Sequence, residues 1–255
     1  MDAIDNDYDE IAAALALQSK FVQKNAEIVT PAMMGCDYSL RIDRNVPKTF
    51  IPKMPRSAMN SENDSCARVC VAATLLGCYV GFSRGENDVI EGSVQWKGEK
   101  DNFLGGYTIS RLDFKHALKP GVKLVPDAEL TEELWLVSYN KATLEYKPNV
   151  IGKMFVSDLT YLPVSGRRPN LEIVFFVENN SSDDLILSKE VSVPPASYSR
   201  VKVNWPSVYE RSISNGEVSV VQVDKSVYEE KKKLVANFLN RHSDAVPGKP
   251  RFFSW

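Results

Sequence analysis

The feature that most constrains the fold is a run of alternating apolar and polar residues over 171–204. A period of two places every second side chain on the same face of a strand, so the run predicts strands with one buried face. Polar residues at 179–184 interrupt it as a turn, and Pro194-Pro195 break it again. The alternating apolar residues are Leu171, Ile173, Phe175, Val177, Leu185, Leu187, Val191, Val193, Val201 and Val203. We predict an antiparallel sheet whose chain crosses to a second sheet at the two prolines.

Shorter strand signals surround this run. Segments at 134–139 and 153–157 are bounded by proline and asparagine residues. An Asn-Gly pair, which favours a hairpin turn, precedes a further strand at 217–223. Short strands at this spacing are typical of sandwiches and barrels. The sequence therefore predicts a mainly β, α+β protein with an antiparallel β-sandwich or jelly-roll-like core over 66–223, flanked by an N-terminal helix and a C-terminal helix.

The N-terminal region, residues 1–65, is predicted to be a helix followed by an extended arm. Residues 8–25 carry apolar side chains at helical i, i+4 spacing, among them Ile11 and Leu15. Four prolines interrupt every helix over 30–65, and the middle of this segment is basic. We interpret it as a Pro-rich connector that lies over a surface.

The C-terminal region, residues 224–255, is predicted to be an amphipathic helix and an aromatic tail. Ser226 and Glu229 form a capping box at the start of the helix. The apolar stripe of the helix is predicted to consist of Val227, Leu234, Val235, Phe238 and Leu239. A Pro-Gly-Lys-Pro sequence follows and excludes a continued helix or a central strand.

Residues 66–82 are almost continuously apolar and are predicted to belong to the core. Val69 and Val71 favour a buried strand, whereas Leu75 and Leu76 favour a helical turn. Periodicity does not separate these alternatives, because a short apolar run fits a buried element of either type.

Charge and cysteine content bear on the compartment and on the class of partner. A net charge of −2 and a pI of about 5.8 argue against a general binder of nucleic acid or of anionic membranes. The acidic N-terminus lacks the basic start of a secretory signal, and no apolar stretch is long enough to span a bilayer. We expect a cytoplasmic location, or one within a virus particle, with the four cysteines as free thiols.

A cysteine hydrolase is one chemical alternative. Cys66 opens the apolar segment, and the N-terminus of a helix there would lower the pKa of its thiol. This setting is similar to that of papain-like peptidases, although no glycine flanks Cys66. His116, one of two histidines, is the candidate base. The competing interpretation is a buried, inert thiol. The cysteines lie among apolar residues, unlike those of zinc knuckles, and no phosphate-binding loop occurs, so we predict no metal and no cofactor.

A nucleic-acid-binding or transport accessory protein is another alternative. Lysine and arginine side chains that share one face can neutralise phosphates. The candidate residues are Arg41, Arg44, Lys48, Lys53, Arg56, Arg167 and Arg168. The competing interpretation is ordinary surface charge that keeps the protein soluble.

The aromatic tail leads to the main functional hypothesis. Phe252, Phe253 and Trp255 are costly to leave in water, and aromatic side chains dominate the energetics of interfaces. We expect them to dock on the same chain or on a neighbouring subunit, as we expect for Ile11 and Leu15 of the first helix. Extensions at both ends of a β core are how subunits join in shells, matrix layers and scaffolds. We therefore predict a non-enzymatic structural or assembly protein of viral type, which forms a homo-oligomer or binds another protein.

Overall fold

The computed structural model of the protein describes residues 15–16, 18–35, 38–43, 45–54, 66–81, 106–126, 128–138, 145–162, 170–206 and 213–242. The strands in this part are β1 (Ala26–Val29), β2 (Tyr38–Asp43), β3 (Val69–Ala72), β4 (Gly106–Asp113), β5 (Ala117–Pro120), β6 (Glu133–Leu136), β7 (Asn149–Leu162), β8 (Asn170–Asn179), β9 (Leu185–Ser188), β10 (Val191–Val193), β11 (Ser197–Trp205) and β12 (Glu217–Gln222). The helices are α1 (Lys20–Asn25), α2 (Pro31–Met34), α3 (75–81), α4 (Ala128–Thr131) and α5 (Lys225–His242), and a 3-10 turn spans Ile213–Asn215.

Most strands belong to a ten-stranded sheet with the order β1-β5-β6-β3-β2-β4-β7-β8-β11-β12, and β9 pairs with β10 in a two-stranded sheet. The strand pairs whose register is described are antiparallel. The predicted mainly β, α+β fold is therefore confirmed. The change of sheet at Pro194-Pro195 is also confirmed, because β10 lies in the small sheet and β11 in the large one.

The described residues fall into two compact units. Unit 1 comprises those within Met1–Arg41, Val46–Ser83 and Ser110–Asn149. Unit 2 comprises those within Ile42–Asn45, Arg84–Ile109 and Val150–Trp255. Neither unit is a single continuous stretch of chain, so these bounds differ from the three consecutive regions drawn from the sequence.

Unit 1 is built on short strands that are buried on both faces. Cys70 of β3 pairs with Trp135 of β6, and their neighbours in each strand point to the opposite face. On one face, side chains belong to a core cluster that includes Val69, Val71, Leu112, Leu134 and Leu136. The other face contributes to a second cluster with Cys66, Val22, Leu118, Trp135 and Val137. Burial on both faces explains why this stretch of sequence is continuously apolar rather than alternating.

The apolar stretch that the sequence left ambiguous contains a strand and a helix in succession. β3 occupies 69–72, and α3 follows at 75–81. Thr74 separates them, and its Oγ1 accepts a hydrogen bond of 3.0 Å from the backbone N–H of Gly77. A threonine hydroxyl placed just before a helix is a typical N-cap, which satisfies a backbone donor of the first turn.

Two predictions for the N-terminal region differ from the structure. The predicted helix over 8–25 is interrupted, because Ser19 has an extended backbone and caps the separate helix α1 by accepting from the Val22 N–H at 3.2 Å. The predicted connector over 30–65 contains the short helix α2, which begins at Pro31 instead of being interrupted by it, and strand β2, in which Ser39, Leu40 and Ile42 are buried. The prolines of that segment lie outside β2, so they do not disturb its backbone ladder.

Unit 2 is built on long strands. β8 pairs with the whole of β11, from Asn179 opposite Ser197 to Leu171 opposite Trp205, and also with β7. A register shift between Val156 and Asp158 marks a bulge in β7. The predicted strand at 217–223 is confirmed as β12, but residues 206–216 connect it to β11, so the Asn-Gly pair ends a longer connection instead of forming a tight hairpin.

The predicted C-terminal helix is confirmed as α5, but the side of the helix that is buried differs from the predicted apolar stripe. It begins at Lys225, so Ser226 lies inside the first turn instead of capping it. Among the side chains of α5 that the structure describes, those of Tyr228 and Val235 are buried, and they join a cluster with Phe155, Val174 and Phe176. The Tyr228 ring lies 5.3 Å from the ring of Phe155 and 4.9 Å from that of Tyr198, measured between centroids.

Candidate functional site

Cys66 is placed where its thiol is unreactive. Its side chain is fully buried in unit 1, and the Sγ–H donates to the carbonyl of Ala67 at 3.8 Å. The residue precedes strand β3, so no helix N-terminus stabilises a thiolate there. Burial raises the pKa of Cys66 from 9.0 to about 11, although the positive charge of Arg68 opposes this shift. His116 is also buried, in the loop between β4 and β5. These observations favour the inert-thiol interpretation of Cys66.

A second cysteine lies beside a group of polar side chains on the same sheet face. Arg68 is two residues before Cys70, and its guanidinium carbon lies 4.1 Å from the ring centroid of Trp135. The indole N–H of Trp135 donates to Glu133 Oε1 at 2.7 Å. Burial, and then the Glu133 carboxylate, raise the pKa of Cys70 to about 12. The cation–π stack and the hydrogen bond hold buried charge in place, which is a structural role.

The basic residues proposed for nucleic-acid binding are not gathered into one described surface. Arg41 is engaged within unit 1, because its Nη1 donates to the Cys70 carbonyl at 2.6 Å and its guanidinium carbon lies 4.9 Å from the Phe50 ring centroid. Lys48 and Lys53 are exposed. Residues Arg44, Arg56, Arg167 and Arg168 lie outside the described residues. Nucleic-acid binding stays a prediction that these positions do not support further.

Helix α5 carries two of the exposed large apolar side chains of the described part of the chain. Val227 and Leu234 are seven residues apart, so they lie on the same face of the helix, and their exposed fractions are 38% and 53%. We call these two residues the α5 stripe. Tyr228 and Val235 also lie seven residues apart, and they hold the helix on its own sheet. Among its described side chains, the helix therefore buries Tyr228 and Val235 and leaves Val227 and Leu234 exposed, with Glu230 and Lys231 between these two on the same side.

The edge strand β12 adds an apolar side chain to the same region. Val221 pairs with Arg200 of β11, which in turn pairs with Phe176 of β8. Directly paired residues point to the same face of a sheet, so Val221 lies on the face that α5 covers through Phe176. Its exposed fraction is 57%. Within the described residues, β12 is the last strand of the large sheet. Exposed apolar side chains beside a sheet edge are typical of surfaces where chains associate.

The residues predicted to contact a partner are only partly described. Leu15 is half-buried and packs on the second core cluster of unit 1, next to residues such as Val22. Its side chain thus contacts its own chain. Ile11, Phe252, Phe253 and Trp255 lie outside the described residues. The sequence does not predict the exposure of the α5 stripe, because its pattern places Val227, Leu234, Val235, Phe238 and Leu239 in one apolar stripe.

Within the described ranges, no group of three or more histidine, cysteine, aspartate or glutamate side chains is arranged to hold a metal ion. No helix in this part of the chain is both long enough and apolar enough to cross a membrane.

Comparisons with known proteins returned nothing: no family model, no curated protein and no solved structure matches this chain.

Proposed function

We propose that this protein is a non-enzymatic structural or assembly protein that acts by associating with copies of itself; binding to a different protein is the alternative. The observation that supports the proposal is the α5 stripe, in which Val227 and Leu234 are exposed on a helix that already packs on its own unit. Burial of a leucine or valine side chain contributes about 1.5–3 kcal/mol. Val227 and Leu234 are already about half buried, so covering the stripe on association would contribute roughly half of that for each side chain.

The organisation of the chain supports the same proposal. A sheet-rich body is followed by α5 and then by a stretch of sequence that contains Phe252, Phe253 and Trp255. Aromatic residues supply large contact areas at interfaces. Shells and matrix layers, including those of virus particles, are assemblies in which such extensions join neighbouring subunits. This comparison concerns organisation and not a specific fold.

The test is the molar mass in solution, measured by size-exclusion chromatography with light scattering over a concentration series. We expect the wild-type chain to exceed the single-chain mass of 28.6 kDa as concentration rises. Leu234→Glu should return it to that mass, because a charge in the buried part of an interface is costly. Ser226→Glu is the matched control, since Ser226 is exposed on another face of α5 and the charge change is the same. A wild-type chain that stays at the single-chain mass at every concentration would refute self-association.

A further inference from the structure

We infer that the β12 strands of two copies pair antiparallel across a two-fold axis at Val220, which joins their large sheets edge to edge. This inference rests on the proposed function and specifies the contact through which copies associate. Within the described part of the chain, β12 ends the large sheet and has β11 as its one neighbour. A strand at a sheet edge presents backbone N–H and C=O groups to which another strand can bond.

The register of β12 on β11 determines which of these groups point outward. The Val223 N–H donates to the Tyr198 carbonyl at 2.9 Å, and this pair continues the β11–β12 register. Opposite residues of an antiparallel pair alternate between those that exchange hydrogen bonds and those that do not. Ser219 and Val221 therefore bond to β11, as Val223 does. The residues whose N–H and C=O groups point away from β11, toward the edge, are Val218, Val220 and Gln222.

The sequence of β12 lacks the features that protect an edge strand. Edge strands are commonly blunted by proline, by charged side chains or by a bulge. Residues 218–223 contain no proline and no charge, and the pairs with β11 show no register shift. Four of these six residues are valine, which favours strands. The edge of β12 is therefore suited to pairing with another strand.

A second copy of β12 fits this edge because the outward groups are spaced symmetrically about Val220. Antiparallel pairing about a two-fold axis places Val220 opposite its own copy and Val218 opposite the second copy's Gln222. Each outward residue then faces an outward residue, so the contact forms about six backbone hydrogen bonds. Residues 217–223 of the two copies pair over their whole length in this register.

The charges at the ends of β12 are complementary in the same register. Glu217 begins the strand, and Lys225 follows it as the first residue of α5. Both side chains are exposed, and neither has an ion pair within the described part of the chain. Antiparallel pairing brings Glu217 of each copy toward Lys225 of the other, while the two Glu217 residues stay about 20 Å apart. The contact therefore joins opposite charges and separates like ones.

The α5 stripe lies beside the same edge. Helix α5 returns over the sheet after β12, and the Tyr228 ring packs on the rings of Tyr198 in β11 and Phe155 in β7. In this right-handed connection, the residue just before an inward-pointing one on the helix faces the side of the strand that leads into it. Val227 and, two turns later, Leu234 therefore face the β12 side. Pairing at β12 places the stripes of both copies on one side of the joined sheet, facing each other.

Hydrogen exchange of single amides in the wild-type chain tests the inference, at concentrations that span the rise in mass measured by light scattering. We expect the amides of Val218, Val220 and Gln222 to exchange at least tenfold more slowly in the associated state, because the second copy then bonds them. The amides of Ser219 and Val221 are the internal control. They already bond to β11, so their protection should be the same at every concentration.

Charge variants at Val220 test the register. Val220→Lys and Val220→Glu each place like charges directly opposite at the axis, so each alone should self-associate at least tenfold more weakly than wild type. Their equimolar mixture should form a heterodimer, because lysine then faces glutamate. Val218→Lys and Val218→Glu are the matched control pair. In this register residue 218 lies about 14 Å from its own copy, so mixing them should change the dissociation constant less than twofold.

The alternative outcomes separate the inference from the proposed function. Outward amides whose exchange does not slow while the mass of the wild-type chain rises overturn the inference, and self-association then uses another surface. Rescue by mixing the variants at 218 and not those at 220 overturns the register and the inference with it. A wild-type chain that keeps the single-chain mass overturns both. The amide measurement needs no substitution, so it decides even where a charged variant at 220 does not fold.

Discussion

The two units build antiparallel sheet in different ways. Unit 1 uses strands of four residues, such as β3 and β6, whose two faces are both buried in separate clusters. Unit 2 uses β8 and β11, of ten and nine residues, which are joined by nine residue pairs. Long paired strands depend on backbone register, whereas short strands depend on the side chains packed around them. The effects of substitutions should therefore follow backbone fit in unit 2 and packing in unit 1.

The largest expected effect is that of Gly152→Ala in unit 2. Gly152 pairs with Asn179, and a Cβ atom there would lie 2.1 Å from the backbone carbonyl oxygen of Glu178. Only a shift of the strand can relieve this overlap, so we expect a loss of about 3 kcal/mol or more in the free energy of unfolding. Urea denaturation followed by circular dichroism measures it.

The matched control for this substitution is Gly81→Ala in unit 1. A Cβ atom at Gly81, at the end of α3, would lie 3.7 Å from the side chain of Thr131, which is an ordinary contact. We expect stability to be unchanged or to rise by up to about 1 kcal/mol. Equal losses in the two variants would contradict the view that backbone fit governs unit 2.

Asn179→Asp should have the next largest effect. Asn179 is fully buried where β8 ends, and its Nδ2 donates to the carbonyls of Asp183, Val193 and Pro194 at 2.9, 3.1 and 2.9 Å. A carboxylate would face three carbonyl oxygens with no proton to share, so we expect a loss of about 3 kcal/mol at neutral pH.

The pH dependence of Asn179→Asp gives a second readout. Burial and the carbonyls would raise the pKa of the introduced carboxyl, so the folded state binds a proton at higher pH than the unfolded state does. The loss in the free energy of unfolding relative to wild type should therefore be smaller at pH 4 than at pH 7. The control is Asn180→Asp, since the side chain of Asn180 is exposed. If Asn179→Asp loses the same free energy of unfolding at pH 7 and at pH 4, the introduced carboxyl does not face the carbonyl oxygens as described.

Much of unit 2 was predictable from the sequence because one physical rule governs it. The alternation in Val191, Val193, Val201 and Val203, with prolines between, identified β10, β11 and the change of sheet. Where side chains from distant segments decide the outcome, the same reasoning failed. Strand β2 lies within a proline-rich segment, and its burial depends on contacts such as that of the Ser39 hydroxyl with the Leu112 carbonyl, 73 residues away.

The candidate site was predictable only in part, for a related reason. Val227 and Tyr228 are adjacent, so the rotation of α5 about its own axis decides which of the two faces the sheet. Hydrophobicity alone favours Val227. Tyr228 is the buried residue because its ring packs in a cluster with the rings of Phe155 and Phe176. The turn at Asn179 had a local signal, because asparagine side chains often accept a hydrogen bond from the backbone N–H two residues later in an Asx turn, and the Ser181 N–H donates to Asn179 Oδ1 at 3.0 Å.

The smallest expected effect concerns the thiols of unit 1 at neutral pH. With the pKa of Cys66 near 11, on the order of 10⁻⁴ of this thiol is ionised at pH 7. Folded protein should therefore label slowly with a maleimide at Cys66 and quickly in urea. Because the folded pKa values of Cys66 and Cys70 exceed 9.0, the stability of the protein should fall as pH rises above about 9. Rapid labelling of Cys66 at pH 7 would instead support an accessible nucleophile.

Amide hydrogen exchange measured at low and high protein concentration tests self-association through unit 2 most directly. We expect protection of α5 and β12 to increase with concentration while protection of β3 and β6 in unit 1 stays constant. Protection of α5 that does not change with concentration, in a sample whose mass remains 28.6 kDa, would contradict the account.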